Sequence, residues 1–264
     1  SGRAILTLAL TEPSGVWKAS GVSLKAVHKG DSYVLNGTKL FVSDAHVADW
    51  LICVARTSEG RKPGDGITLF LVDARSPGIK YDVLKTIASD KQCEVAFNDV
   101  KVFGDDVMGR TDHGWEVVDR TLRRAAVGKS IEMVGGAQAV LEMTIQYAKD
   151  RVQFGLPIGS FQAVQHHCAN MATDVDGSRM IAYEAAWMMS EGLPCAKEAA
   201  MAKAWVSDAY RRVVALGHQI HGGIGFTMDH DMQLYYRRAK AAELAYGDGD
   251  FHRESVAALM GIGG

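Results

Sequence analysis

The 264-residue chain is long enough to bury a sizeable core, either as one large domain or as two smaller ones. Its 29 Lys and Arg against 31 Asp and Glu leave a formal charge of -2, and the basic residues are scattered, which excludes the electrostatic footprint of a nucleic-acid binder. No apolar run approaches the roughly 20 residues needed to span a bilayer, and no charged-then-apolar leader opens the chain, so a soluble cytoplasmic protein without membrane or nucleic-acid partners is expected.

The first elements read as strands. Residues 5–10, 32–35, 39–42, 50–54, 67–72 and 94–97 are apolar or alternating, and Asn36-Gly37, Pro63-Gly64-Asp65-Gly66 and Pro77-Gly78 punctuate them as turns. This pattern predicts an antiparallel barrel or sandwich. After Gly104-Asp105-Asp106 the texture changes, and from Trp115 apolar residues recur at three- and four-residue spacing. Helices are expected near 114–150, 160–190, 195–220 and 230–261, the last interrupted near Gly247, with Ser160 as an N-cap and Gly192-Leu193-Pro194 separating two of them. The economical packing is a four-helix bundle with a short extra helix. The fold class is therefore α+β, with a β-barrel domain over 1–110 and a helical bundle over 111–264.

Cys53, Cys93, Cys168 and Cys195 lack Cys-x-x-Cys spacing, which leaves no basis for a zinc ribbon or a redox dithiol. The pairs His218/His221 and His166/His167 have no adequate ligand set nearby, so no metal is expected. Arg120, Arg123 and Arg124 fall on a helical pattern as a solvated face or as a face toward an anionic ligand.

Two breaks between helical stretches carry the chemistry. Arg151-Val152-Gln153-Phe154-Gly155 and Gln219-Ile220-His221-Gly222-Gly223 put a guanidinium, an amide side chain and backbone N–H groups at helix ends, which is equipment for gripping a diphosphate. Each also has a plainer reading. Arg151 can be a C-terminal cation offsetting a helix dipole, and Gly222-Gly223 a helix-to-helix turn that needs positive φ. The glycine run follows a helix rather than a strand, so it fails the context of a Rossmann loop. A third segment, Leu10-Thr11-Glu12-Pro13, ends a strand with a hydroxyl and a turn.

These three pieces, in this order and with Phe41-Val42-Ser43 and Phe161-Gln162-Ala163 between them, resemble the middle and C-terminal domains of the acyl-CoA dehydrogenases over essentially the whole chain. The resemblance implies FAD as cofactor. Leu10 and Thr11 would meet the pyrimidine edge of the isoalloxazine, Phe41 would pack on the ring, and Ser43 would approach its N5 side. Arg151, Phe154 and Gln162 would hold the pyrophosphate region, and Asp248 would also lie at the cofactor. Gln219, Gly222 and Gly223 would reach the ADP moiety of a neighbouring subunit's FAD, which implies a homo- or hetero-oligomer, dimer or tetramer. An acyl-CoA substrate and an electron-transfer flavoprotein as acceptor follow in the same way. The chain departs from the family after Pro13, where Trp17 stands at a small polar position. The helical domain that precedes the first strand in full-length members has no counterpart in this sequence.

In the family a Glu near the start of the last helix takes the α-proton of the thioester. The segment 238–247 puts Tyr246 at that position, and the alternative site on the first long helix falls at Ala125. A phenol, with a reference pKa near 10, is a poor base at neutral pH. Asp248 and Asp250 follow in a Gly-rich turn, and Glu132 lies seven residues beyond Ala125, roughly 10 Å along a helix. Two functions are therefore expected to compete. One is an FAD-dependent acyl-CoA dehydrogenase with an atypical or missing base, and the other a non-catalytic FAD-site subunit of a hetero-oligomeric dehydrogenase.

Overall fold

The alternating segments of the first hundred residues pair into one eight-stranded sheet, seen in a computed structural model that describes residues 2–262. Its strands are β1 (Leu6–Ala9), β2 (Lys25–Lys29), β3 (Ser32–Ser43), β4 (Trp50–Arg56), β5 (Ile67–Asp73), β6 (Ile79–Leu84), β7 (Gln92–Phe103) and β8 (Val107–Met108). The hydrogen-bonded order is β6-β7-β3-β2-β4-β5-β8, with β1 added alongside β4. The sheet is mixed rather than wholly antiparallel. β1 runs parallel to β4 from Leu6 opposite Trp50 to Ala9 opposite Cys53, and β2 meets β4 in parallel at Lys25 and Arg56. A parallel pair needs a long crossover, and here the two strands between β1 and β4 lie within the crossover. Leu24, Leu35, Leu51, Phe70, Val95 and Phe97 form the buried centre of this unit.

Asn36-Gly37 does not turn the chain. It lies inside the 12-residue β3 opposite a bulge of β7, where the register shifts between Leu35 and Gly37 and β7 carries the extra residue. Asn36 bonds Asp99 through both its amide nitrogen (3.0 Å) and its oxygen (2.9 Å from Asp99 N). Gly37 has φ +147, and a Cβ there would lie 2.9 Å from Leu24 Cγ. Glycine is needed because Leu24, just ahead of β2, approaches closely at this point. β3 keeps its alternation past this point, so Lys39, four residues after the buried Leu35, also points into the core.

The second unit is helical: α1 (Trp115–Asp150), α2 (Gln162–Ser190), α3 (Ala196–His221), α4 (Met232–Leu244) and α5 (Gly249–Leu259). A small hairpin of β9 (Val152–Gln153) and β10 (Leu156–Pro157) links α1 to α2. The two units divide at Arg120 and Thr121, inside α1 rather than in the loop before it, because Gly114 N bonds Ile67 O (2.7 Å) and Val118 is buried. Met133, Val140, Met171, Val175, Val206, Val213 and Met232 interlock in the helical core, with α3 packed against α2, α4 and α5.

Ser160 is not the N-cap of α2. It closes a short 3-10 turn over Ile158–Ser160, and Phe161 takes the cap position without a side-chain bond. Phe161 N donates back to Ile158 O (3.1 Å) while Phe161 O accepts from Val164 N and Gln165 N, so the helix starts one residue later. Among the described residues no helix is long and apolar enough to cross a membrane.

Candidate functional site

In the sheet unit, two sequence-distant segments become neighbours. Leu40 N donates to Thr11 O (2.8 Å), so the end of β1 and its Thr-Glu-Pro turn lie against the Leu40–Ser43 stretch of β3. Thr7 Oγ1 adds a second tie, to Ser43 O (2.6 Å). Leu10 and Thr11 are nearly buried, whereas Phe41 is 55% exposed and held at φ +55. A bulky side chain in the left-handed region is an unfavourable arrangement that the surroundings must impose. Here the imposing feature is the second register shift of β3, between Lys39 and Val42, which lifts the phenyl ring off the sheet.

Beneath this corner lies a buried ion pair that sequence reading missed. Lys39 is fully buried and its Nζ donates to Glu12 Oε1 (2.7 Å) and Leu10 O (3.0 Å). Glu12 accepts in turn from Ser23 N and Leu24 N (each 3.0 Å) and from the Ser23 hydroxyl. Burial pushes the Glu12 carboxyl up, but the Lys39 charge and these hydrogen bonds outweigh it and hold the group below the usual carboxylate range. The pair fixes Leu10 and Glu12 on either side of Thr11.

In the helical unit the Arg151 and Gln219 segments also converge. Arg151 N closes the last turn of α1 onto Tyr147 O (2.9 Å), and the Tyr147 ring stacks on His221 at 4.4 Å, with its hydroxyl 3.4 Å from His221 O. The C-terminal ends of α1 and α3, and with them Arg151 and Gln219, are thereby side by side. Both side chains are exposed, as is that of Gln162. Among the described residues Arg151 pairs with no carboxylate, so its charge is available. Phe154 and Gly155 form the two-residue tip of the hairpin, both at positive φ, and Phe154 is 94% exposed. Gly222 ends α3 at φ +62, the conformation expected of it, and Gly223 is exposed beside it. A free guanidinium, two amide side chains, glycine N–H groups and an uncovered aromatic ring are a donor set that suits the diphosphate and adenine of a dinucleotide. His218 and His221 are tied through Nδ1 to Val214 O (3.1 Å) and Gly217 O (2.8 Å). Among the described residues no group of three or more His, Cys, Asp or Glu could hold a metal ion.

Tyr246 lies between α4 and α5 at φ +59, followed by Gly247 at φ +93. The acidic groups around it are engaged. Asp248 Oδ1 accepts from Phe251 N (2.9 Å) as the N-cap of α5, and Asp250 Oδ1 accepts from Arg253 Nη1 (2.8 Å). On α1, Glu132 accepts from Lys129 (2.6 Å), and Ala125 contributes no titratable group.

A mixed-sheet domain is followed by a helical domain, and each carries some of the residues that the resemblance assigns to a cofactor. The match to known proteins is specific. Residues 7–100 match the model of the acyl-CoA dehydrogenase middle domain, and residues 112–261 that of the acyl-CoA dehydrogenase C-terminal domain. The chain belongs to the acyl-CoA dehydrogenase family, FAD-binding oxidoreductases that act on CH–CH bonds. It is 33% identical to the 3-(aryl)acrylate reductase of Clostridium sporogenes, over 98% of this chain and 69% of that protein. It is 32% identical to the caffeyl-CoA reductase-Etf complex subunit CarC of Acetobacterium woodii, with the same 98% and 69% coverage. The solved butyryl-CoA dehydrogenase of Megasphaera elsdenii superposes with a TM-score of 0.93 at 30% identity, covering 98% of this chain and 68% of that one. The chain thus spans a little over two thirds of the length of these relatives.

Proposed function

We propose that this chain binds FAD and takes part in the α,β-oxidation or reduction of an acyl-CoA thioester. The observation that carries the reading is the Leu40 N to Thr11 O bond, which sets the Thr-Glu-Pro turn beside the Phe41–Ser43 step, as a flavin contacted by both would require. Leu10 N and Thr11 would meet the pyrimidine edge, Phe41 would cover the ring, and Ser43 would sit on its N5 side. Arg151, Phe154 and Gln162 would hold the pyrophosphate region, while Gln219, Gly222 and Gly223 would reach the ADP of a neighbouring subunit's FAD, in a dimer or tetramer. When bound, the flavin supplies the hydride acceptor or donor for the β-carbon. An electron-transfer flavoprotein is the proposed redox partner, supported by the naming of CarC as a subunit of a reductase-Etf complex.

A second reading rests on the proton. Tyr246 stands where the resemblance puts a Glu, and Asp248, Asp250 and Glu132 are each tied to a local donor. A carboxylate free to take the α-proton is thus missing from the candidate positions, which favours a subunit that shares its FAD site with a base-bearing homologue.

Anaerobic titration of the purified protein with assorted acyl-CoAs, following the oxidised flavin band, separates the two. Bleaching by the chain alone supports self-sufficient catalysis. A yellow protein that bleaches only after a homologue is added supports the shared site. A colourless protein that refuses added FAD and stays monomeric overturns both.

A further inference from the structure

Lys203 lies in the middle of α3 with no exposed surface, yet it carries an ammonium group. Such a group persists in a core only where its protons are used. All three are. Nζ donates to Ser207 Oγ on its own helix (3.1 Å), to Glu243 O in the last turn of α4 (2.8 Å) and to Gly247 O in the turn leading to α5 (2.9 Å). Two of these acceptors bracket Tyr246, and the Tyr246 carbonyl itself is 3.0 Å from Nε2 of His252, a buried residue of α5. One carbonyl at the end of α4 and two in the turn that follows are therefore held by two side chains from two different helices.

The turn needs holding. Tyr246 and Gly247 both have positive φ, and for tyrosine this is an unfavourable state that local propensity does not supply. We propose that Lys203 and His252 are positioning residues that lock the Tyr246–Gly247 turn in its left-handed conformation and so fix the direction in which the side chain at position 246 leaves the backbone. The charged groups facing Lys203 are Glu243 on α4, Asp248 at the head of α5 and Lys129 on α1, with His252 alongside. The strut's part in catalysis rests on the reading of position 246 given above; its part in the fold does not.

The test uses the purified chain labelled with 3-fluorotyrosine, with the Tyr246 resonance assigned by Tyr246→Phe. Wild type is expected to show one narrow fluorine resonance for this residue. Lys203→Met removes the donor to two carbonyls, and His252→Leu removes the donor to the third. Each should split or broaden the Tyr246 signal and lower amide-exchange protection at Ala245, Phe251 and His252 by about tenfold, the loss of roughly one hydrogen bond, while α1 and α2 keep their protection. His252→Gln retains an N–H donor and should restore the single resonance. An unchanged Tyr246 signal in both Lys203→Met and His252→Leu overturns the proposal, and so does a loss of protection spread evenly over all helices. Should Lys203→Met not fold, the contrast between His252→Leu and His252→Gln decides alone. Neither readout needs flavin, so a colourless protein would sink the flavoenzyme reading and leave this result standing.

Discussion

At the scale of single residues, the site depends on side chains that do not themselves face a ligand. Glu12 looks like part of a turn in the sequence, but in the structure it joins Lys39 in a buried pair under the Thr11 corner. Removing one member leaves the other charge buried and unpaired, which costs about 3–5 kcal/mol, whereas removing both costs less. Lys39→Met should therefore destabilise the protein and weaken FAD binding, and the double variant Lys39→Met, Glu12→Leu should regain part of the stability in urea unfolding. A double variant as unstable as the single one would count against the pair as the cause. Arg151 is the reverse case, an exposed cation with no carboxylate partner among the described residues. Arg151→Ala is expected to leave the melting temperature almost unchanged and to weaken FAD binding by tenfold or more, about the 1.5–3 kcal/mol of a charged hydrogen bond. Equal FAD retention in wild type and variant would remove Arg151 from the cofactor site. Arg151, Phe154, Gln162 and Gln219 could be picked out from sequence as candidates because they fall in motifs that resemble those of the family. Lys39 and Lys203 could not, because a buried lysine differs from a solvated one only through neighbours distant in the chain.

At the scale of elements, the helices follow their sequence closely. α1, α2, α3, α4 and α5 fall where the three- and four-residue spacing puts them, and the break near Gly247 is the α4–α5 turn. Helical hydrogen bonds are local, so their pattern is carried by nearby residues. Strands behave otherwise. Asn36-Gly37 has the composition of a hairpin turn, yet the chain continues through it because β7 offers partners on both sides of the bulge. Gly37→Ala should cost about 1–3 kcal/mol, since the new Cβ both crowds Leu24 and occupies a conformation that L side chains rarely adopt. Thermal unfolding of the variant checks this, and an unchanged midpoint would mean that β3 can shift without loss. Ser160 shows the same limit at a helix start, where a 3-10 turn took the place that a capping residue had signalled.

At the scale of the whole molecule, stability should depend on pH in a definite direction. Burial pushes the imidazole of His252 down to about 4, against a modest upward pull from its bond to Tyr246 O. Between the ordinary histidine value of 6.5 and about 4 the unfolded chain binds a proton that the folded chain refuses, so stability falls as pH drops through that window. The full effect is about 3 kcal/mol. Glu12, whose pKa is lowered, adds a loss of the same sign as its carboxylate is protonated. Lys203, pushed down to about 8 chiefly by burial, acts likewise at the alkaline end, where stability should rise with pH between about 8 and the ordinary lysine value of 10.5. Urea unfolding of the helical signal at pH 7 and pH 4.5 tests the acid arm, and His252→Gln should flatten it. An equally steep acid loss in that variant would assign the effect elsewhere.

The residues alone determined the succession of a strand-rich part and a helical part and the approximate course of the helices, because each is written in local periodicity. The tertiary structure decided the parallel pairing of β1 with β4, the passage of β3 through Asn36-Gly37, and the burial of Lys39 and Lys203 beneath the two turns they brace. These depend on which distant groups come within hydrogen-bonding distance once the core closes, and no spacing along the chain records that.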